Sequence, residues 1–245
     1  MPSPAPKHPP LPPAILFDLD DTLISAHTHP RETWKHAIET LPDRPEHMDP
    51  ELTSAAIHKA AKWFWSDPVR HKTGRLDILS ARRGIIGRAF EDVGAFEDTV
   101  LEALGAHFTE LRRQQTALYP DAVETLEGLR DRGIRLGLIT NGNKTEQRAK
   151  IERFDLAKHF DHIQIEGEMG FGKPEDEAYA HALKSLGHDV SDTWIIGDNL
   201  DWEVIVPQRL GFYSIWRDPV GTGLPADTTA KPDRILTRLA ELVET

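Results

Sequence analysis

The chain has 245 residues, enough for one large domain or for a domain that carries a sizeable insertion. Its hydrophobic fraction of 39% is that of a globular protein, and no apolar run approaches the roughly 20 residues of a membrane-spanning helix. With 29 basic and 40 acidic residues, the net charge of −11 argues against nucleic acid as a partner, because polyanions are repelled. The chain has no cysteine, which excludes disulfides, thiolate nucleophiles and zinc–thiolate sites.

The first thirteen residues form a proline-rich segment, with seven prolines. This composition predicts an extended, solvated tail over residues 1–13, with a docking role as the alternative. The segment lacks the apolar centre of a secretory signal, and we expect a cytoplasmic protein.

After the tail, short apolar runs alternate with helical patterns. The predicted strands are 14–17, 134–140, 162–165, 193–196 and 212–216, and helices are predicted near 121–131, 143–153, 174–186 and 201–210. This alternation predicts an α/β fold in which crossover helices join parallel strands and cover both faces of the sheet. Ligands of such sheets bind at the carboxyl ends of the strands.

Residues 25–116 interrupt the alternation and show no convincing strand. They predict about four helices, near 29–41, 50–65, 75–93 and 96–115, separated by prolines and glycine. A helical segment inserted after the first strand would lie above the carboxyl edge of the sheet.

Polar residues follow several of the predicted strands. FDLDDTL places Asp18 and Asp20 just after the first strand, and Thr140 with Asn141 and Gly142 follows the second. Lys173 lies on a loop before Pro174, and Asp198 ends a later strand. The four motifs are FDLDDTL, ITNG, GKP and IGDN. The first motif alone is equally typical of a turn.

In their order and spacing, the four motifs resemble those of the haloacid dehalogenase superfamily, a phosphatase-rich group of hydrolases with an aspartate nucleophile. The resemblance covers nearly the whole chain after the tail. It implies a Rossmann-like core of residues 14–24 and 117–245, with a helical cap of residues 25–116. It also implies Mg²⁺ as cofactor and a small phosphorylated metabolite as substrate; the protein is expected to be a monomer or homodimer.

The resemblance also implies roles for the residues at the strand ends. Asp18 matches the nucleophile that forms an aspartyl-phosphate, and Asp20 matches the acid/base that serves the leaving alcohol and then water. Thr140 matches the hydroxyl that binds a phosphoryl oxygen, with backbone donors from Asn141 and Gly142 beside it.

The remaining matches concern charge and metal. Lys173 matches the lysine that neutralises the nucleophile and the phosphoryl group. Asp198 matches the carboxylate that completes the Mg²⁺ site together with Asp18 and the main-chain oxygen of Asp20. The last motif departs from the family, because Glu203 stands where an aspartate is usual, and its role is left open.

Three alternatives compete with a phosphatase. A phosphomutase would return the phosphoryl group to its substrate. A dehalogenase would need no leaving-group acid and no metal, so Asp20 argues against it. A binding protein that docks partners through the tail would have no need of a nucleophile beside an acid.

The helical insertion offers weaker candidates. Residues 70–90 are strongly basic, and projection of 75–93 as one helix places Arg82 inside an apolar arc, which predicts that Arg82 faces the cleft and binds substrate. Residues 63–65 (Trp-Phe-Trp) are predicted to lie in the core of the insertion. His27 and His29 are candidates for substrate contact, with exposed loop positions as the alternative.

Overall fold

The protein is described by a computed structural model that covers residues 9–26, 30–94 and 96–244. Its strands, in chain order, are β1 (Ala14–Phe17), β2 (Ile24–Ser25), β3 (Ala117–Leu118), β4 (Arg135–Thr140), β5 (His162–Ile165), β6 (Thr193–Gly197), β7 (Tyr213–Arg217) and β8 (Arg234–Leu236). Its helices are α1 (Pro30–Glu39), α2 (Pro50–Trp65), α3 (Pro68–Leu76), α4 (Ile78–Val93), α5 (Asp98–Gln115), α6 (Ala122–Asp131), α7 (Lys144–Arg153), α8 (Glu166–Met169), α9 (Asp176–Leu186) and α10 (Val206–Leu210).

The centre of the fold is a six-stranded parallel sheet with the order β5–β4–β1–β6–β7–β8. Successive residues of β1 point to opposite faces. Ile15 and Phe17 belong to a hydrophobic cluster with residues of α6 and α7, whereas Ala14 and Leu16 belong to a second cluster with residues of α9. The sheet is therefore buried on both faces, and the predicted α/β class is confirmed.

The predicted strands agree with the structure to within one residue at each end. β2, β3 and β8 were missed, because two or three residues are too short to give a pattern. The predicted tail is wrong at its C-terminal end, since Leu11 packs against the sheet cluster and Pro12 is buried. Residues 1–8 of that tail lie outside the described residues.

Helices α1–α5 form a helical block with a hydrophobic cluster of its own. The prediction of one helix over 75–93 is wrong, because the chain forms α3 and α4 with a break at Asp77. The Asp77 side chain accepts hydrogen bonds from the Ser80 amide at 3.2 Å and the Ser80 hydroxyl at 2.7 Å, which starts a new helix. Pro68, predicted as part of a separator, is instead in the first turn of α3.

A short antiparallel pair lies where the chain leaves the sheet and returns to it. Ile24 and Ser25 of β2 pair with Leu118 and Ala117 of β3, so both connections to the helical block pass through one point. Within the described ranges, no helix is long and apolar enough to cross a membrane.

Candidate active site

Three predicted site residues lie at neighbouring strand ends. Asp18 follows β1, Thr140 ends β4 and Asp198 follows β6. Because β1 pairs in parallel with both β4 and β6, the carboxyl ends of these strands lie side by side. The sheet therefore brings a carboxylate, a hydroxyl and a second carboxylate to one edge.

Lys173 lies between two carboxylates at this edge. Its Nζ is 2.6 Å from Asp18 Oδ1 and 2.6 Å from Glu203 Oε1, and its side chain is 0% exposed. Burial alone would lower the pKa of Lys173, but the charges of the two carboxylates raise it. Burial also raises the pKa values of Asp18 and Glu203, while the lysine opposes that shift. Lys173 is thus a permanently charged ammonium held directly on Asp18.

Glu203, whose role could not be assigned from the sequence, accepts two hydrogen bonds in the structure. Besides accepting from Lys173, it accepts the Asn199 amide through Oε2 at 2.9 Å. Its side chain crosses Gly197 so closely that a Cβ at that position would overlap Glu203 Cγ. The side chain of this glutamate therefore holds Lys173 and fixes the loop after β6, and glycine at position 197 makes room for it.

Asp20 is contacted by two side chains of α7. Lys150 Nζ lies 2.8 Å from each of its carboxylate oxygens, and Gln147 Nε2 donates to Oδ2 at 3.0 Å. Gln147 Nε2 also lies 2.6 Å from Thr140 Oγ1. Positions 147 and 150 share one face of the helix because they are three residues apart. One helix face thus connects the predicted acid/base with the predicted phosphate-binding hydroxyl.

The loop after β4 is fixed by hydrogen bonds to neighbouring segments. The Asn141 side chain donates to the Lys173 carbonyl at 2.5 Å and accepts the Lys173 amide at 2.8 Å. Gly142 has φ +116°, and its amide donates to Glu166 Oε2 at 3.0 Å. The Gly142 amide is thus directed at a buried carboxylate, and its predicted contact with a phosphoryl oxygen stays a prediction. Gly142 contributes a turn that other residues adopt only with strain.

Glu166 also connects the sheet edge to the helical block. Arg75 of α3 donates through Nε and Nη2 to the two carboxylate oxygens of Glu166, each at 2.6 Å. Asn143 Nδ2 donates to the Leu76 carbonyl at 2.8 Å. The end of α3 is therefore seated on the loop that follows β4.

Asp198 lies partly buried in the loop after β6. The Trp216 indole donates to its main-chain oxygen at 2.7 Å. Burial, with the nearby charges of Asp18 and Glu203, raises the pKa of Asp198. The buried carboxylate of Asp18 and the partly buried carboxylate of Asp198 repel each other, and a divalent cation would stabilise them; oxygen donors of this kind suit Mg²⁺.

The predicted Mg²⁺ site contains few carboxylates. In the part of the chain that the structure describes, no group of three or more His, Cys, Asp or Glu residues is arranged to hold a metal ion. The predicted Mg²⁺ site uses only two carboxylates, those of Asp18 and Asp198, with the main-chain oxygen of Asp20. The donor chemistry fits the predicted ion, and the site stays a prediction.

Two of the candidates predicted in the helical block, Arg82 and Trp63, lie among the described residues. Arg82 is partly buried, and its Nη1 donates to Thr109 Oγ1 at 2.8 Å. Trp63, predicted as core, is 42% exposed, with the guanidinium carbons of Arg70 and Arg88 at 4.0 and 4.1 Å from its ring. The predicted contacts of His27 and His29 fall outside the described residues.

Sequence reasoning missed Gln147, Lys150, Glu166 and Arg75. The first two had one local signal, since polar residues three apart on a helix that follows ITNG share a face directed by that strand end. Arg75 and Glu166 are 91 residues apart, and no local pattern connects them.

The chain is similar in sequence to known hydrolases. A family model described as haloacid dehalogenase-like hydrolase matches residues 12–211. The chain is 34% identical over 239 residues to phosphoserine phosphatase from Thermus thermophilus, covering 89% of this chain and 93% of that protein. It is 28% identical over 225 residues to ribulose-1,5-bisphosphate 5-phosphatase from Halopiger xanaduensis, covering 91% of each.

A solved structure shows the same fold. The HAD-hydrolase YfnB from Bacillus subtilis, solved bound to magnesium, aligns with a TM-score of 0.73 over 96% of this chain and 100% of that chain, at 17% identity. The family model covers most of the sequence, and the predicted motifs lie within the matched residues. The family expected from those motifs is confirmed: the chain belongs to the haloacid dehalogenase-like hydrolases, and it is an enzyme.

Proposed function

We propose that the protein hydrolyses small phosphate monoesters through a phosphoaspartate at Asp18, with Mg²⁺ as cofactor. The observation that carries the proposal is the buried contact of 2.6 Å between the Lys173 ammonium and Asp18, two residues from the partly buried Asp20. A carboxylate nucleophile needs a nearby cation when it approaches an anionic ester. The relatives named above as phosphatases of small metabolites support this reaction class.

In the first step, an oxygen of Asp18 bonds to phosphorus and the bond from phosphorus to the leaving alcohol breaks. Lys173 offsets the negative charge on the nucleophile and the phosphoryl group. The Thr140 hydroxyl and the main-chain amide of Asn141 hydrogen-bond phosphoryl oxygens. Asp20 gives its proton to the leaving oxygen, so that an alcohol departs.

In the second step, water attacks the phosphorus of the phosphoaspartate. Asp20, now a carboxylate, takes the proton of this water; the bond from phosphorus to Asp18 breaks and inorganic phosphate leaves. Lys150 and Gln147 hold the carboxylate of Asp20 in one orientation.

Asp18, Asp198 and the main-chain oxygen of Asp20 would hold the metal ion. When bound, Mg²⁺ supplies positive charge that offsets repulsion between the nucleophile and the ester. The raised pKa of Asp198 supports this assignment, because burial and neighbouring carboxylates disfavour its charged form without a cation.

The helical block would act as a cap over the sheet edge. The bidentate contact between Arg75 and Glu166 seats α3 beside the loop of Asn141. A cap in this position would shield the phosphoaspartate from bulk water and limit substrates to small molecules. The division into a core of 14–24 and 117–245 and a cap of 25–116 stays a prediction, as does the cytoplasmic location.

A substrate screen tests the proposal. Phosphorylated metabolites, including phosphoserine, glyceraldehyde 3-phosphate and ribulose 1,5-bisphosphate, are scored for inorganic phosphate with and without Mg²⁺. We expect Mg²⁺-dependent phosphate release, and a peptide containing Asp18 that gains the mass of a phosphoryl group during turnover. An isomerised ester without free phosphate would indicate a phosphomutase, and metal-independent halide release a dehalogenase; either result contradicts the proposal.

A further inference from the structure

Two arginines of the helical block contact one aromatic ring. The guanidinium carbon of Arg82 on α4 lies 5.6 Å from the centroid of the Phe108 ring, and that of Arg112 on α5 lies 5.9 Å from it. Phe108 is 5% exposed and stacks on Trp34, with 3.4 Å between ring centroids. Arg82 is further oriented by its hydrogen bond to Thr109. A packed aromatic base therefore holds two cations close to each other.

Neither cation has an acidic partner in the described ranges. Among those residues, Arg82 and Arg112 form no ion pair, whereas their neighbours do: Arg83 pairs with Glu102, and Arg113 lies 2.7 Å from Glu110. Burial lowers the pKa values of both Arg82 and Arg112. Among the described residues, the cost of partly burying two guanidinium groups is thus not offset by a carboxylate in direct contact.

The surrounding charges show which way the two arginines face. Arg112 interacts through space with Asp21 and Asp20, in the loop after β1. Arg82 interacts through space with Glu146 on α7 and with Arg112 itself. These acids belong to the sheet side of the molecule, and Arg153 of α7 donates to the main-chain oxygen of Arg113, the residue after Arg112. Arg112 therefore lies where α5 meets the sheet side, and Arg82 shares the Phe108 ring with it.

We propose that Arg82 and Arg112 form a second anion-binding site, which holds a carboxylate or a further phosphate of the substrate away from the phosphoryl group that is hydrolysed. The inference rests on the proposed phosphatase function and specifies its substrate class: small phosphate monoesters that carry another anionic group. The transferred phosphoryl group already has a cation of its own in Lys173.

The chemistry of the pair suits such a group. A guanidinium presents several N–H donors in one plane and matches the paired oxygens of a carboxylate or phosphate. One donor of Arg82 is used by Thr109, and among the described residues no other group accepts from its guanidinium, which leaves donors for a ligand. An anion between the two arginines would also remove the repulsion between them.

Two pairs of substrates test the site, because the members of each pair differ by one anionic group. O-phosphoserine is compared with O-phosphoethanolamine, which lacks the carboxylate, and ribulose 1,5-bisphosphate with ribulose 5-phosphate. Steady-state kcat/KM is measured for the full chain with Mg²⁺, and for Arg82→Met and Arg112→Met. Arg83→Met and Arg113→Met are matched controls from the same two helices, since both arginines are exposed and paired elsewhere.

We expect Arg82→Met and Arg112→Met each to lower kcat/KM by about 10- to 150-fold for the member with the additional anion, as for loss of a charged hydrogen bond. The member without it should change by less than about 3-fold, and the controls should leave all four values near wild type. The pair that responds identifies the anion as a carboxylate or a phosphate. Because the ratio within a pair is measured on one preparation, partial unfolding of a variant does not alter it.

Several outcomes would overturn the site. Equal losses on both members of each pair mean that the arginines only stabilise the helical block. If Glu146→Gln reproduces the effect of Arg82→Met on all four substrates, Arg82 acts through that carboxylate instead of binding substrate. Phosphate release only from members without the second anion defeats the site and leaves the proposed function standing, whereas release from no phosphate monoester in the wider screen defeats both.

Discussion

The sheet edge and the helical block differ in whether carboxylates contact their cations. Lys173 has two carboxylates at 2.6 Å and is 0% exposed. Arg82 and Arg112 are partly buried on an aromatic base, and no ion pair to either is found among the described residues. A group at the reaction centre has to be held in a precise position by the protein itself. A group that selects the substrate has to leave room for an anion of that substrate. The paired Lys173 therefore fits a role at the reaction centre, and Arg82 and Arg112 fit the proposed second anion-binding site.

Removal of the nucleophile should give the largest effect at the sheet edge. Asp18→Asn should lower kcat by at least about 10³-fold, because an amide is a poor nucleophile. The melting temperature should change little, since Lys173 keeps its contact with Glu203. Phosphate release and thermal unfolding are measured beside Asp201→Asn, an exposed carboxylate near the site. Substantial turnover by purified Asp18→Asn would refute a covalent mechanism.

Removal of the cation from the buried cluster of Asp18, Lys173 and Glu203 should lower the free energy of unfolding. Lys173→Met leaves the buried carboxylates of Asp18 and Glu203 without their cation, and we expect a loss of about 3–5 kcal/mol in the free energy of unfolding. The double variant Lys173→Met/Glu203→Gln should regain part of this stability but no activity. Urea denaturation measures both effects, and an unchanged midpoint for Lys173→Met would show that the cluster is not a unit.

Removal of Mg²⁺ tests whether phosphate release depends on the metal ion. Excess chelator should abolish phosphate release and Mg²⁺ should restore it, while Ca²⁺, which accepts looser geometry, should serve poorly. Asp198→Ala should lower kcat/KM by about 100-fold at low Mg²⁺ and recover partly at high Mg²⁺. Full activity in excess chelator would exclude the proposed site.

The smallest of these effects should come from the orientation of Asp20. Lys150→Met should lower kcat by about 10-fold with KM nearly unchanged, because the carboxylate loses a contact of 2.8 Å to each oxygen. Arg148→Met is the matched control, as Arg148 is exposed on the same helix and pairs with Glu168. A rise in KM without a change in kcat would mean that Lys150 binds substrate and does not position Asp20.

The sequence was most informative where function depends on strand ends. Asp18, Thr140 and Asp198 could be placed because parallel strands end at a common edge, whatever the exact packing above it. Lys150 and Gln147 could not, since their contact with Asp20 depends on how α7 lies against the loop after β1, 127 to 130 residues away. Tertiary packing, which local periodicity does not report, decides such contacts.

In the helical block, one local signal was overlooked. Asp77 and Ser80 have the spacing of a helix start, and the structure uses it to end α3 and begin α4. The apolar arc that motivated Arg82 assumed one continuous helix, and Leu79, a member of that arc, is 64% exposed. The break lies before Arg82 and α4 has a buried face of its own, so the arc does not decide the orientation of Arg82, and its position at the cleft stays a prediction.

Glu166 accepts hydrogen bonds from both the Gly142 amide and Arg75, and this double contact has a thermodynamic consequence. If α3 moves away from the sheet edge, the bidentate pair is lost and a carboxylate that is 1% exposed is left without its cation. The seating of α3 and the conformation of the loop after β4 are therefore linked equilibria. Linkage is reciprocal: a ligand that orders this loop favours the seated helix by the same free energy with which the seated helix favours that ligand.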